Sequence, residues 1–410
     1  MQNASAATRA ATAVGKPGES LLAAGLLWAG FILVSLNLRL IFATVGPLLK
    51  NLGLGVASTL LVTTMPLALL GLFSIPGVRL RQWLGEERSL FLALALLVAG
   101  CGLRWFGASA LIAGTVLGSA GIAVMNVIMP ALARKRFGPQ RMGLVMGIYA
   151  LMLGAGAVLG ASGAFPLFQR MGGDTAAAYH SLGLWAIPAM LAMLVWLPQL
   201  KHGATAPAGL AGLTGHGGAP RVQVYRSRMA WSITLFFGLQ ALNLYVFLPW
   251  MPTILTDRGM AQAGAAGIFS ASQLSLMVGS FITPLLASRR ADQRPWIAAT
   301  VLSCLAGTLG LMYAPLGSAW LWALLLGFGQ GAGPSLGAFL FAAKASSIDV
   351  ATRLSAMAQT VGYLIAVAGP LLVGAIYYRT GDWHLPILLL AGVLVIELIV
   401  SLPAGRNIRI

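Results

Sequence analysis

The segment LNLRLIFATVGP, residues 36–47, decides how this chain has to be interpreted, because it places Arg39 within an apolar run from Leu21 to Leu49. A guanidinium keeps its charge at any accessible pH. At the centre of a membrane-spanning helix an arginine costs roughly 2.5–3.5 kcal/mol on an insertion scale. The sequence therefore predicts a group that compensates Arg39.

The chain offers no evident carboxylate for this purpose. Of the nine acidic residues, eight lie in the N-terminal tail or in polar connections, and only Glu397 lies within an apolar run, near the end of the last one. We therefore expect Arg39 to receive an anion from solution. The alternatives are an arginine that snorkels, bonds to backbone carbonyls, or stacks on an aromatic ring such as Phe42.

The composition is that of a membrane protein. The chain is 58% hydrophobic and 9% charged, with a mean hydropathy of +0.86. Its net charge of +17 does not indicate nucleic acid as a partner, because the sequence has no basic water-exposed domain. The two cysteines lack metal-ligand spacing, so neither a metal nor another cofactor is expected.

Apolar runs bounded by charged and turn residues predict an all-α membrane protein with twelve spans, since each span needs about 20 residues. A barrel is excluded because the alternating ten-residue pattern is missing. The predicted spans are residues 21–49, 56–79, 89–106, 109–133, 142–168, 178–199, 229–255, 263–288, 295–314, 318–343, 353–378 and 384–402.

These spans form two halves. We assign residues 1–20 to a disordered cytoplasmic tail, 21–200 to an N-terminal six-helix half, 201–228 to a cytoplasmic linker, 229–403 to a C-terminal six-helix half and 404–410 to a cytoplasmic tail. Lysine and arginine accumulate in cytoplasmic loops. With both termini inside, the outer connections hold only five basic residues: Lys50, Arg104, Arg170, Arg258 and Arg379.

The halves also show weak internal similarity. A shift of 206 residues aligns Leu36–Arg39 with Leu242–Tyr245, and a shift of 209 aligns Asn126 with Ser335. Parallel repeats of this kind form transporters with a substrate site near the midplane, between the halves. Arg39 and its counterpart Tyr245 are therefore expected on opposite walls of one site.

At this level the chain resembles the major facilitator superfamily and, within it, the cyanate and nitroimidazole transporter family. The resemblance is carried by Leu36–Arg39 with Val45–Leu49, by Met129–Leu132, by Trp250–Pro252 and by Met357–Tyr363. It implies a monomeric, multi-pass transporter of the bacterial inner membrane, working by alternating access.

The resemblance also carries two expectations about charged residues. The last helix of this fold lies outside the cavity, so Glu397 is expected at the periphery. The connection Gly77–Arg88 resembles the loop signature of the superfamily but lacks its usual aspartate, so the gating ion pairs of that signature are not carried over.

Helical spacing predicts further residues of the binding site beside Arg39. Phe42 and Ala43 share the face of Arg39, which could grip a carboxylate with two hydrogen bonds. Further polar candidates within spans are Asn126, Tyr149, Tyr245, Gln240, Gln273, Gln330, Gln359 and Tyr363. The alternative for such residues is a hydrogen bond between helices.

Other residues are candidates for mechanical roles. Gly154, Gly160, Gly369 and Gly374 suit surfaces where moving helices approach closely, with packing alone as the alternative. Trp250 is expected to be an interfacial anchor or a gate.

The predicted function is secondary transport of small organic anions such as carboxylic acids or cyanate-like anions. Protons could accompany the weak-acid substrate, or transport could proceed without them. One alternative is drug or nitroaromatic efflux, or uptake of neutral compounds, and the lack of interior acids disfavours a cationic drug. A membrane enzyme or receptor is more distant, because no catalytic constellation or phosphate-cradling loop is found and no catalytic residue is proposed.

Overall fold

The computed structural model describes residues 21–203 and 224–410, and these residues contain helices and connections without strands. The α-helices are α1 (Leu21–Ala43), α2 (Val56–Leu103), α3 (Ala108–Phe137), α4 (Met142–Arg170), α5 (Thr175–Leu184), α6 (Ala186–Trp196), α7 (Arg228–Asp257), α8 (Gln262–Ala287), α9 (Arg294–Tyr313), α10 (Ala319–Ala343), α11 (Ile348–Thr380) and α12 (His384–Ser401). The tail predicted at 1–20 and most of the predicted linker lie outside the described residues.

Helix α2 is interrupted once. A straight helix of its 48 residues would be about 72 Å long, more than twice the roughly 30 Å of a bilayer core. Gly85 breaks it with φ 79° and ψ 175°, values that a residue with a side chain rarely adopts. This break lies within the connection predicted at 80–88, and the residues on both sides of Gly85 are helical.

Eleven stretches of the described chain are long and apolar enough to cross a membrane. One of them, Met65–Phe106, runs through the break at Gly85. Another, Thr175–Lys201, combines α5 and α6. The all-helical membrane class is therefore confirmed, and ten of these stretches each match one predicted span.

Each half packs around its own close helix contacts. In the N-terminal half, α2 and α3 approach so closely that a Cβ at Gly100 would lie 2.6 Å from the backbone oxygen of Gly114. In the C-terminal half, a Cβ at Gly307 of α9 would lie 2.6 Å from the Leu326 nitrogen of α10. Glycine at these positions lets the backbones meet without a side chain between them.

The halves meet along α2 with α11 and along α4 with α8. The α4–α8 contact involves Gly143 with Ser288, Gly147 with Phe281 and Gly154 with Met277. Gly143 and Ser288 lie at the end of the bundle that carries Arg81, Arg134 and Lys344, which we call the basic end. The halves are thus in direct contact at this end.

The last residues of the chain fold back on the basic end. The backbone of Ile410 donates to the oxygen of Lys344 and accepts from the nitrogen of Ser346, both at 2.8 Å. The Lys344 Nζ donates to the oxygen of Arg406 at 2.6 Å. The segment predicted as a tail at 404–410 is therefore docked against the α10–α11 connection.

Candidate functional site

A cavity lies between the two halves, with walls from both. The space open to the centres of water-sized spheres is about 80 Å³. One water needs roughly 10–15 Å³ counted in this way, so the cavity has room for several waters or one small solute. Its polar and aromatic lining residues are Arg39, Phe42, Asn126, Tyr149, Phe237, Tyr245, Ser280, Gln330, Ser335, Phe341, Gln359 and Tyr363.

Arg39 extends from α1 into this cavity as a free cation. Among the described residues, no hydrogen bond, ion pair or ring contact engages its guanidinium, and its side chain is only partly buried. The stacking alternative on Phe42 is therefore not observed, although Phe42 lines the same wall. A charged group with unused donors in an enclosed space is suited to an anion.

Two polar pairs lie at the walls of the cavity. The Tyr149 hydroxyl donates to Asn126 Oδ1 at 3.0 Å, which fixes both side chains against α3 and α4. On the opposite wall, Gln330 Nε2 donates to Asn243 Oδ1 at 3.0 Å. Both pairs join neighbouring helices, and Tyr149, Asn126 and Gln330 also line the cavity.

Gln359 provides an unused acceptor. Its Nε2 donates to Ser355 Oγ at 2.8 Å, whereas its Oε1 is buried without a hydrogen-bond partner among the described residues. A buried carbonyl oxygen without a donor is unfavourable. A ligand hydroxyl or N–H group would satisfy it.

Aromatic rings form much of the remaining wall. Phe237 contacts Phe341 and Tyr363 edge to face, with ring centroids 5.4 and 5.6 Å apart. Sequence analysis missed Phe237, although it precedes Tyr245 by about two helical turns on the same face. It also missed Ser335, which the repeat alignment with Asn126 could have identified. Both residues line the cavity.

The predicted binding residues therefore divide into two groups. Eight line the cavity: Arg39, Phe42, Asn126, Tyr149, Tyr245, Gln330, Gln359 and Tyr363. Ala43 instead packs toward Gly160 of α4, where an added Cβ would lie 3.2 Å from the Ala43 Cβ. Gln273 bonds to the neighbouring Ser272 Oγ at 3.4 Å and is not part of the lining.

The predicted mechanical residues are at close contacts. Gly154 faces Met277 across the two halves, whereas Gly160 lies against Leu40 within the N-terminal half. Gly369 and Gly374 approach α7, the latter at Trp250, where an added Cβ would lie 3.1 Å from the indole ring.

Trp250 belongs to an aromatic cluster at the end of the bundle opposite the basic end. Its ring centroid lies 5.8 Å from Tyr377, 6.0 Å from Tyr378 and 5.4 Å from Trp383. The Tyr377 hydroxyl and the Trp383 indole N–H both donate to Asp257 Oδ2, at 2.6 and 2.8 Å. This carboxylate therefore ties α7 to α11 and to the start of α12.

Glu397 is not peripheral, so that expectation is wrong. Its side chain is 0% exposed, and its Oε1 accepts a hydrogen bond from Gln240 Nε2 at 2.8 Å. Cys304 Sγ contacts Gln240 Oε1 at 3.6 Å. Gln240, a binding candidate from the sequence, therefore faces the interior of the C-terminal half and not the cavity.

Arg104 is also buried, although the sequence placed it in an outer connection. It is 0% exposed and donates from Nη1 to the Ile41 oxygen at 3.1 Å. That carbonyl belongs to the last turn of α1, where oxygens lack helical partners. Arg104 thus caps the helix that carries Arg39, and the helix dipole favours a cation there.

The basic end is closed by contacts between charged residues of both halves. Arg81 binds Glu86 of its own half at 2.8 Å and Asp349 of α11 at 2.6 Å. Lys135 binds Glu86 and Glu87, at 2.9 and 3.0 Å. Arg134 donates to the Ala342 oxygen at 2.7 Å, again across the halves. Ion pairs therefore form here, although the motif lacks its usual aspartate.

Within the described part of the chain, no group of three or more His, Cys, Asp or Glu side chains could hold a metal ion.

The sequence model of the Major Facilitator Superfamily matches residues 27–370, well over half of the chain. The chain belongs to this superfamily. Two of its bacterial relatives are transporters that it matches over nearly their full length, so it is a membrane transporter of the major facilitator type.

One relative is the 2-nitroimidazole transporter of Escherichia coli K12, 36% identical over 386 residues, which are 93% of this chain and 95% of that protein. Another is the cyanate transport protein CynX of the same organism, 28% identical over 377 residues, or 90% of this chain and 95% of that protein. The match to both confirms the resemblance found in the sequence motifs of this facilitator.

Among solved structures, the human organic anion transporter MFSD10 has a similar fold. The TM-score is 0.68 at 15% identity, covering 92% of this chain and 98% of that one. At this identity the likeness concerns the fold of this facilitator and not its substrate.

Proposed function

We propose that this transporter carries small organic anions across the bacterial inner membrane by alternating access, with Arg39 as the anion-binding residue. The observation that carries the proposal is the guanidinium of Arg39 in a cavity between the halves, without an acidic partner among the described residues. A permanent cation at membrane depth is unfavourable without a counter-charge. A bound substrate anion supplies that charge.

The remaining lining narrows the substrate class to small carboxylic acids and similar planar anions. Arg39 can bind both oxygens of a carboxylate. The rings of Phe42, Phe237 and Tyr363 offer apolar contact to a flat body. The free Oε1 of Gln359 suits a hydroxyl or N–H group on that body.

The topology proposed for this function has twelve crossings, with both termini in the cytoplasm. The break at Gly85 supports two crossings within Met65–Phe106, because one straight helix of that length would overshoot the bilayer. Basic residues concentrate at the basic end, which supports a cytoplasmic location for it. The conformation described is then closed toward the cytoplasm by the Arg81–Asp349 and Arg134–Ala342 contacts.

A second candidate substrate is a neutral nitroaromatic compound. The relative named a 2-nitroimidazole transporter favours it, and nitro oxygens also accept hydrogen bonds from a guanidinium. A neutral substrate would, however, leave the charge of Arg39 uncompensated. We therefore rank it below the anion.

The experiment is a binding and uptake comparison of wild type, Arg39→Lys and Arg39→Ala. The panel contains benzoate, 4-hydroxybenzoate, cyanate and 2-nitroimidazole. Losing a charge-assisted hydrogen bond of about 1.5–3 kcal/mol should weaken binding of the acids at least tenfold in Arg39→Ala. Arg39→Lys keeps the charge but not the planar fork, so an intermediate loss is expected.

Arg170→Ala is the matched control, because Arg170 is an exposed arginine remote from the cavity. It should bind the panel like wild type. A folded Arg39→Ala variant that binds the acids as tightly as wild type would refute the assignment. A loss confined to 2-nitroimidazole would favour the neutral substrate.

A further inference from the structure

We propose that Glu397 is a proton-binding site of this transporter, holding a proton on its carboxyl group in the conformation described and releasing it to water in the opposite conformation. This inference rests on the proposed transport function. It assigns proton coupling to a residue of the protein outside the substrate cavity. The alternative is that the substrate itself carries the protons.

The first support is the surroundings of the carboxyl group. Glu397 is 0% exposed within α12, and none of the ion pairs between described residues includes it. A buried carboxylate without a cation is strongly disfavoured, so the neutral acid is the form that fits this site. The site therefore holds a proton.

The second support is the position of that proton. Gln240 Nε2 donates to Oε1, so Oε1 acts as an acceptor. Oε2 is buried without a partner among the described residues. The proton therefore sits on Oε2 and is not held by an acceptor, so that water entering the site can remove it.

The groups that face Glu397 among the described residues carry no charge, so Glu397 is the group whose protonation changes. From α7 the contact is the uncharged amide of Gln240. From α9 it is the thiol of Cys304, which contacts that amide at 3.6 Å. No charged side chain of α11 or of the docked C-terminal residues forms an ion pair with it among the described residues.

The third support is a short mechanical link to the cavity. Gln240 precedes Ala241, which lines the cavity on the neighbouring face of α7. Its amide also lies against α10, where a Cβ added at Gly333 would collide with it. Pro334, the next residue, lines the cavity. Any shift of α7 against α10 would therefore move the Gln240–Glu397 pair.

The fourth support is that the pair has no counterpart in the N-terminal half. The shift of 206 residues that aligns Arg39 with Tyr245 aligns Gln240 with Val34, a fully buried apolar residue. The repeat therefore packs at this position without polar groups. The buried Gln240–Glu397 pair is therefore specific to the C-terminal half at this position, where a role beyond packing accounts for it.

The proton step is simple. In the conformation open to the cytoplasm, the Oε2–H bond breaks and the proton passes to water, leaving a carboxylate that the Gln240 amide continues to bond. In the conformation open to the outside, the carboxylate takes a proton from water. Its neutral form then allows the halves to close again.

The test uses Glu397→Gln, which preserves shape and removes the proton site. In proteoliposomes with an imposed pH gradient, we expect benzoate accumulation to fall at least tenfold, about 1.4 kcal/mol in coupling. Benzoate exchange without a gradient should fall much less. Infrared difference spectra of the purified protein should show a carboxylic acid band that the variant lacks.

Asp292→Asn is the matched control, because it replaces an acid by its amide at an exposed residue whose one ion pair among the described residues is with Arg294. It should accumulate benzoate like wild type. Equal accumulation by Glu397→Gln and wild type would overturn the proposal, and so would the absence of the infrared band. Benzoate exchange by Arg39→Ala tests the substrate site alone, and accumulation by Glu397→Gln tests the proton site. Each proposal can therefore be refuted without the other.

A second variant applies if Glu397→Gln does not fold. Gln240→Met removes the donor to Oε1 and keeps the acid, so the pH midpoint of benzoate accumulation should shift by about half a unit or more. An unchanged midpoint would contradict the proton site.

Discussion

The ion pair between Arg81 and Asp349 should set how often the basic end opens. The two atoms Arg81 Nη2 and Asp349 Oδ1 lie 2.6 Å apart, on side chains that are 10% and 44% exposed. Hydrogen bonds to charged groups contribute about 1.5–3 kcal/mol, and exposed ion pairs about 0.2–1 kcal/mol. Because only one of the two side chains is well exposed, we expect the pair to stabilise the closed basic end by about 1–1.5 kcal/mol.

Asp349→Asn removes the charge and leaves a neutral oxygen in place. Arg81 keeps Glu86, at 2.8 Å, within its own half. Asp349 also pairs with Arg353 at 2.7 Å, but that pair lies within α11, so the loss of the Arg81 pair is the part that affects the contact between halves. The ratio of open to closed basic ends should then rise about five- to tenfold, since 1.4 kcal/mol corresponds to a factor of ten.

Spin labels at Gln140 and Arg289 would measure this ratio. The two residues are exposed on connections of opposite halves at the basic end. Native Cys101 and Cys304 are fully buried, so labels introduced at new cysteines would report alone. A larger population at long distance is expected in Asp349→Asn and not in Asp292→Asn. A distance distribution unchanged within about twofold would refute the reasoning.

Two further predictions follow from single side chains. Tyr149→Phe removes the 3.0 Å hydrogen bond to Asn126, and the variant should still fold. Its affinity for carboxylic acids, measured by calorimetry, should be about two- to tenfold weaker than that of wild type. An unchanged affinity would exclude the Tyr149–Asn126 pair from the binding site. Burial lowers the pKa of Lys344 to about 8. Because the unfolded lysine titrates near 10.4, the unfolded chain binds more protons between these values, and stability should rise with pH from about 8 to 10. Thermal unfolding of Lys344→Gln should show a smaller rise, and an identical pH dependence in both proteins would contradict the assignment.

Many residues that line the cavity could be predicted from the sequence, because the internal repeat and the helical period together determine which side chains face it. The alignment of Leu36–Arg39 with Leu242–Tyr245 placed Arg39 and Tyr245 on facing walls, and both line the cavity. Gln359 and Tyr363 are four residues apart, a spacing that puts both on one face of a helix, and both line the cavity. These predictions needed only the period of the helix and the symmetry of the halves.

Other features depend on which neighbour a helix meets, and the helical period does not contain that information. Phe42 and Ala43 share the face of Arg39, yet Ala43 meets Gly160 of α4 and Phe42 meets the cavity. Glu397 and Gln240 are 157 residues apart, and only the packing of α12 against α7 brings them together. The contact of Arg81 with Asp349 spans 268 residues and depends on the conformation in which the halves meet.

The docked end of the chain bears on how this protein is best handled in the laboratory. Ile410 is paired through its backbone beside Arg134 and Asp349, which join the two halves at the basic end. A purification tag or fluorescent protein joined there would have to leave through that contact and could prop it apart. Joining such additions at the N-terminus keeps them off the Ile410 backbone that makes this contact.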